Sequence, residues 1–132
     1  MSLVYLDSSA LVKLVVREPE SDALVTFLHD YPDRVSSALA LAEVPRALRR
    51  AALGPAARRR GQAVLARVAL VDVDRRVLTI AAMIDPPTIR TLDAIHLATA
   101  LTLHEDLASF VTYDRRLGVA AERADLPVRV PV

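Results

Sequence analysis

The stretch Leu3-Val4-Tyr5-Leu6-Asp7-Ser8-Ser9 decides how this chain folds. A short apolar run that is followed at once by polar residues is typical of a strand buried on both faces, and such strands belong to parallel sheets. Other apolar runs alternate with helical patterns along the chain, which predicts an α/β protein whose parallel sheet is covered on both faces. Ligands bind such sheets at the carboxyl ends of the strands, where Asp7 stands.

The same patterns give the predicted order of elements. Apolar runs predict strands at 3–6, 34–37, 70–73, 109–113 and 128–130, and helical spacing predicts helices at 9–16, 20–29, 39–53, 56–68, 75–84, 92–104 and 115–122. Pro45 is compatible with the third helix if that helix starts near Leu41, because a first-turn residue needs no amide hydrogen. No repeat or linker interrupts the pattern, so we predict a single domain over 1–132.

Composition excludes several classes of protein. The chain has no cysteine, which excludes structural disulfides and thiolate metal sites, so any metal must be bound through oxygen or imidazole. With three glycines it lacks a P-loop and a Rossmann fingerprint. No apolar stretch reaches the ~20 residues of a membrane helix, and the N-terminus lacks the pattern of a secretory signal. We therefore expect a cytoplasmic protein with no membrane partner.

Four acidic residues stand where an apolar run meets the start of a helix: Asp7, Glu43, Asp93 and Asp114. Each has an ordinary explanation, since aspartate caps helices and acids favour the positive end of a helix. Together they indicate something more, because four element junctions can meet at one edge of a sheet. Carboxylates brought together raise one another's pKa unless a cation compensates, and hard oxygen ligands select Mg²⁺ or Mn²⁺.

Such a site has a chemistry of its own. Mg²⁺ keeps several waters, and one of these can be deprotonated for attack on phosphorus, while a second ion can stabilise the leaving oxygen. Helix N-termini at the same edge would help to hold a phosphate. The pattern therefore indicates a metal-dependent phosphodiesterase.

The ordered set of motifs resembles the PIN domain, in particular the VapC toxins of bacterial type II toxin–antitoxin modules. The resemblance covers essentially the whole chain and rests on these segments: Asp7-Ser8-Ser9-Ala10, Ala40-Leu41-Ala42-Glu43-Val44, Leu92-Asp93-Ala94-Ile95-His96-Leu97-Ala98-Thr99-Ala100 and Val111-Thr112-Tyr113-Asp114-Arg115-Arg116-Leu117. It implies a three-layer α/β/α sandwich with a central parallel sheet. It also implies a Mg²⁺- or Mn²⁺-dependent endoribonuclease that forms a homodimer and is neutralised by a VapB-type antitoxin.

The resemblance also assigns residues. Asp7, Glu43, Asp93 and Asp114 fall on the acidic quartet of the family, which serves as metal ligands and catalytic residues. Thr112 falls on a hydroxyl position that commonly supports the site, and Ser8 is a second supporting residue. The chain departs from some relatives after the last acid, because Arg115 and Arg116 stand where those relatives carry a further acid.

Arg46 and Arg50 follow Glu43 by about one and two turns of the same helix, so we predict that they bind the RNA backbone. A solvated helix face explains them equally well, and so does an acidic antitoxin segment. His96 lies three residues after Asp93 and could donate a hydrogen bond to it, although an ordinary buried histidine is the simpler explanation.

Two other functions stay open on the sequence. An aspartyl-phosphate phosphatase also uses an aspartate at a strand end, but it normally has a second aspartate where Ser9 stands. An interaction module whose acids only cap helices is the non-enzymatic alternative.

Overall fold

A five-stranded parallel sheet forms the centre of the protein in the computed structural model, which describes residues 2–132. Its strands are β1 (Leu3–Leu6), β2 (Arg34–Ser37), β3 (Ala69–Val71), β4 (Leu107–Val111) and β5 (Val128–Arg129). The order across the sheet is β3-β2-β1-β4-β5, and every neighbouring pair is parallel. β1 therefore lies in the middle of the sheet, and Asp7 follows it directly.

Seven α-helices cover the sheet in the described part of the chain: α1 (Ser8–Val15), α2 (Ser21–Leu28), α3 (Ala40–Arg50), α4 (Pro55–Ala66), α5 (Arg75–Ala82), α6 (Thr91–Leu101) and α7 (Arg115–Arg123). Val4 and Leu6 of β1 pack with α1 to α4 on one face, and Tyr5 packs with α6 and α7 on the other. This alternation of side chains produces the α/β/α sandwich that the resemblance implies. None of the helices within residues 2–132 is long and apolar enough to cross a membrane.

The fourth strand ends earlier than the sequence pattern predicts. The predicted strand at 109–113 is wrong by about two residues, because the observed strand is Leu107–Val111. Thr112 leaves the sheet because its hydroxyl bonds the carboxylate of Asp7 and the amide of Asp114. Asp114 is therefore not at the strand end itself but is the N-cap of α7.

Parallel strands and their crossover helices bring four helix N-termini to one edge of the sheet. α1 follows β1 and α7 follows β4, while α3 starts shortly after β2 and α6 runs back toward the start of β4. The acids that the sequence singles out lie at these N-termini, as N-caps or in first turns. The carboxyl edge of the sheet is therefore the expected location of a binding site.

Candidate active site

Asp7 is the most buried of the four acids, with 3% of the residue exposed. Its Oδ1 accepts hydrogen bonds from the Ala10 amide at 2.9 Å and from the Ser9 hydroxyl at 2.6 Å, and its Oδ2 accepts one from Thr112 Oγ1 at 2.5 Å. Burial raises the pKa of the Asp7 carboxyl, and these hydrogen bonds offset only part of the rise. Asp7 therefore caps α1 and is also a carboxylate held in a fixed position at a free energy cost.

Thr112 joins two of the acids. Its hydroxyl donates to Asp7 and accepts the Asp114 amide at 3.0 Å, so both the donor and an acceptor position of the hydroxyl are used. The Asp114 carboxylate in turn caps α7 by accepting the Leu117 amide at 3.1 Å. Thr112 is 1% exposed, so these bonds are shielded from water. The structure thus places Asp7, Thr112 and Asp114 in one connected unit.

Glu43 lies across the edge in the first turn of α3. The Ser8 hydroxyl donates to its Oε1 at 2.7 Å, and Nε2 of His96 lies 2.7 Å from the same oxygen. Burial raises the pKa of the Glu43 carboxyl, but the bonds from His96 and Ser8 and the nearby charge of Arg50 outweigh it, so the pKa is lowered overall. Glu43 is therefore kept ionised by its neighbours.

Asp93, in the first turn of α6, lies within the electrostatic influence of two other acids. Burial raises the pKa of its carboxyl, and the charges of Asp114 and Asp7 raise it further. Its side chain accepts no hydrogen bond from the described residues, and the charges of His96 and Arg90 offset only part of the rise in pKa. The four acids thus lie at one edge: the charges of Asp7 and Asp114 act on Asp93, and Glu43 is bonded by Ser8, the residue next to Asp7.

The four acids have the chemistry that binds a hard divalent cation. All four offer carboxylate oxygens, and a cation would relieve the repulsion that raises the pKa of Asp93. The side chains are not yet arranged as a metal site. Within residues 2–132, no group of three or more acidic or histidine side chains is placed so that it could hold a metal ion. The side chains would therefore have to close around a cation.

Arg46 and Arg50 lie on α3, as the sequence predicts, and both are exposed. With Arg49 they line an open depression of about 270 Å³. The charge of Arg50 reaches Glu43 and lowers its pKa, which places Arg50 near the acidic edge. Neither Arg46 nor Arg50 forms a salt bridge in the described chain, so both are available to an anionic partner.

Three residues at the site were missed or misassigned from the sequence. Ser9 holds Asp7 and also accepts the Tyr113 amide at 3.0 Å. His96 is buried, as the simpler explanation requires, and its ring bonds Glu43 on α3 instead of Asp93 on its own helix. Tyr5 bonds the other ring nitrogen of His96. The position of the Ser9 hydroxyl two residues after Asp7 could have indicated its role. No rule of sequence spacing could have paired Tyr5 with His96.

Comparisons with known proteins show which family the chain resembles. The model of the PIN domain family matches residues 4–123. "Ribonuclease VapC46" of Mycobacterium tuberculosis is 53% identical over 131 residues, which cover 99% of each chain. "Ribonuclease VapC35" of the same species is 43% identical over 133 residues, covering 98% of this chain and 97% of its own.

A solved structure supports the fold independently. VapBC2 from Rickettsia felis, bound to a DNA fragment from its promoter, matches with a TM-score of 0.73 at 14% identity, covering 98% of this chain and 99% of that one. At this identity the likeness bears on architecture only. It agrees with the parallel sheet and the helix layers described above.

Proposed function

Because the chain belongs to the PIN domain family, we propose that it is a metal-dependent endoribonuclease and the toxin of a VapBC-type toxin–antitoxin system. The observation that carries this proposal is the meeting of Asp7, Glu43, Asp93 and Asp114 at one edge of the sheet, where burial and like charges raise the pKa of Asp93. The relatives that are named ribonucleases match nearly the full chain, so the proposal covers 1–132 as a single domain.

In this proposal the four carboxylates are the ligands of Mg²⁺ or Mn²⁺, with Ser8 and Thr112 as supporting residues. When bound, the cation would supply a water of lowered pKa and positive charge for the phosphate oxygens. The protein contributes orientation. Ser9 and Thr112 fix both oxygens of Asp7, and the N-termini of α1 and α7 place positive backbone potential where a phosphate would lie.

The same proposal assigns the binding partners of the protein. RNA is the substrate, and Arg46 and Arg50 bind its backbone beside Glu43. A VapB-type antitoxin neutralises the toxin, which acts in the cytoplasm as a homodimer. The support for the antitoxin is the family of the chain and its similarity to relatives that are named VapC. The binding of an antitoxin and the formation of a homodimer stay predictions.

The structure gives no support to a phosphatase with Asp7 as its nucleophile. Such an enzyme normally carries a second aspartate two residues after its nucleophile. Ser9 stands at that position, and its hydroxyl donates to Oδ1 of Asp7 and accepts the Tyr113 amide. Oδ2 of Asp7 accepts one bond, from Thr112, and keeps an acceptor position that suits a metal ligand.

We expect the purified protein to cleave RNA in Mn²⁺ or Mg²⁺ and to lose this activity in EDTA, because the carboxylate edge alone has no nucleophile. Mapping the new RNA ends by sequencing would show the sites that are cut. Expression alone should arrest growth, and co-expression of the antitoxin from the neighbouring gene should relieve the arrest. Cleavage that persists unchanged in EDTA would refute the metal-dependent mechanism.

A divalent cation should also raise the melting temperature, and by less at low pH. Because the pKa values of Asp7 and Asp93 are raised, the native protein binds more protons than the unfolded chain above about pH 4. Stability without metal therefore falls as pH rises from there through the raised values. Glu43 acts in the opposite sense: its lowered pKa contributes stability that is lost as pH falls through that lowered value.

Since metal and protons compete for the same oxygens, the gain from metal should be largest at neutral pH. At 100 times Kd it amounts to about 2.7 kcal/mol. Thermal unfolding with and without MnCl₂, at about pH 5 and about pH 7, measures the effect, and NaCl of equal ionic strength is the control. Helix caps without a shared site would show no shift at millimolar metal, which is the result that the interaction-module alternative requires.

A further inference from the structure

A buried chain of hydrogen bonds runs from the middle of the sheet to the acidic edge. The Tyr5 hydroxyl lies 2.7 Å from Nδ1 of His96, and Nε2 of His96 lies 2.7 Å from Oε1 of Glu43. Tyr5 is 0% exposed and His96 is 1% exposed, so water does not compete for these bonds. The rings of Tyr5 and His96 also meet edge to face, with centroids 5.9 Å apart.

The direction of each bond follows from the groups involved. The ionised Glu43 carboxylate can only accept, so His96 must donate from Nε2. In a neutral imidazole the other nitrogen is then an acceptor, and the Tyr5 hydroxyl donates to Nδ1. Burial raises the pKa of Tyr5 well above its ordinary value, so the phenol keeps the proton that it donates. With a neutral ring, the Tyr5 hydroxyl and the Glu43 carboxylate therefore favour the same tautomer of His96, the one with hydrogen on Nε2.

These bonds use one oxygen of Glu43 and spare the other. The Ser8 hydroxyl and Nε2 of His96 both bond Oε1, whereas nothing in residues 2–132 bonds Oε2. His96 also lies one turn after Asp93 on α6, while Glu43 is on α3. A single ring thus links the two helices that carry these acids.

We infer that His96, with its tautomer fixed by Tyr5, is a positioning residue that holds Glu43 through Oε1 so that Oε2 is presented to the cation. This inference rests on the proposed metal-dependent function. It differs from the simpler view of His96 as a buried residue that only packs, because packing requires its shape but not its Nε2–H donor.

The test compares His96→Leu with His96→Gln. Leucine fills space but donates nothing, whereas the glutamine amide can donate to Glu43 and accept from Tyr5. We expect His96→Leu to weaken Mn²⁺ binding by about 10–100-fold, the usual cost of losing an outer-shell partner. It should lower kcat for RNA cleavage with little change in KM, and His96→Gln should recover most of both losses.

Tyr5→Phe tests the tautomer step, and we expect it to weaken Mn²⁺ binding by less than His96→Leu does. Leu97→Ala is the matched control, since Leu97 is a fully buried neighbour on α6 that packs in the core. It should lower the melting temperature but leave the Mn²⁺ affinity of the folded protein unchanged. Calorimetric titration with MnCl₂, without RNA, measures affinity independently of activity.

The inference is overturned if His96→Leu binds Mn²⁺ like the wild type, or if His96→Gln is as impaired as His96→Leu. Should His96→Leu not fold, wild-type affinity in Tyr5→Phe is the overturning result. A wild-type protein that neither binds Mn²⁺ nor cleaves RNA would instead remove the proposed function. A wild type that does both, beside variants that match it, would remove this inference alone.

Discussion

Asp7→Asn is expected to lower kcat/KM for RNA cleavage by roughly 10³-fold, because a bound metal contributes several kcal/mol and each ~1.4 kcal/mol is a factor of ten. The variant should still fold. Asparagine caps a helix about as well as aspartate, so the bond from the Ala10 amide can stay. The free energy cost of burying a charge disappears, but the side-chain NH2 of asparagine cannot accept a hydrogen bond as the replaced oxygen did. Since these effects oppose each other, the melting temperature without metal should stay close to that of the wild type.

The experiment pairs cleavage kinetics in Mn²⁺ with thermal unfolding in EDTA. Asp74→Asn is the matched control, because Asp74 also caps a helix through one amide, that of Val77 at 2.9 Å, and bonds none of the four acids. It should leave cleavage unchanged. If Asp7→Asn cuts RNA within a few fold of the wild type, the carboxylate is only a cap and the ligand assignment fails.

Much of this site could be predicted from the sequence because it depends on local rules. An apolar run followed by Asp7 is enough to place a buried strand and its carboxyl end, and the structure confirms β1 over Leu3–Leu6. Helix starts are equally local, so Glu43 and Asp93 were correctly predicted to lie in first turns. The parallel topology then brings these positions to one edge without any further information.

The hydrogen-bond partners could not be predicted in the same way. Helical periodicity relates His96 to Asp93, one turn away, and says nothing of Glu43, which is 53 residues away in sequence. Thr112 shows the same limit. Its β-branched side chain favours a strand, but Thr112 lies just after the end of β4, and its hydroxyl bonds Asp7. Tertiary hydrogen bonds decide both cases, and they depend on how helices pack across the sheet.

Helix capping and metal binding are not exclusive explanations for the acids. The Asp7 and Asp114 carboxylates do cap α1 and α7, as the simpler explanation requires. A cap that accepts amide bonds holds its carboxylate in place, which is what a ligand also needs. The cost appears in the raised pKa of Asp7 and Asp93. A protein selected only for stability would have little reason to gather these charges.

Thr112→Val is expected to lower cleavage by about 10–100-fold, the usual effect of removing an outer-shell partner of a metal ligand. Valine keeps the shape of threonine but removes its hydroxyl. A buried oxygen of Asp7 then loses its donor, and the Asp114 amide loses its acceptor. An unsatisfied buried group costs about 1–3 kcal/mol, so the free energy of unfolding should also fall.

Thr112→Ser separates the hydroxyl from the methyl group. It keeps the hydroxyl and should recover most of the activity, because the bonds to Asp7 and Asp114 can reform. Thr102→Val is the control: its hydroxyl bonds only the Thr99 carbonyl at 2.6 Å, at the opposite end of α6 from Asp93. Kinetics in Mn²⁺ and urea unfolding measure the two effects. Equal activity in Thr112→Val and the wild type would show that Asp7 needs no support from Thr112. A loss in Thr112→Ser as large as that in Thr112→Val would show that the hydroxyl alone does not account for the effect.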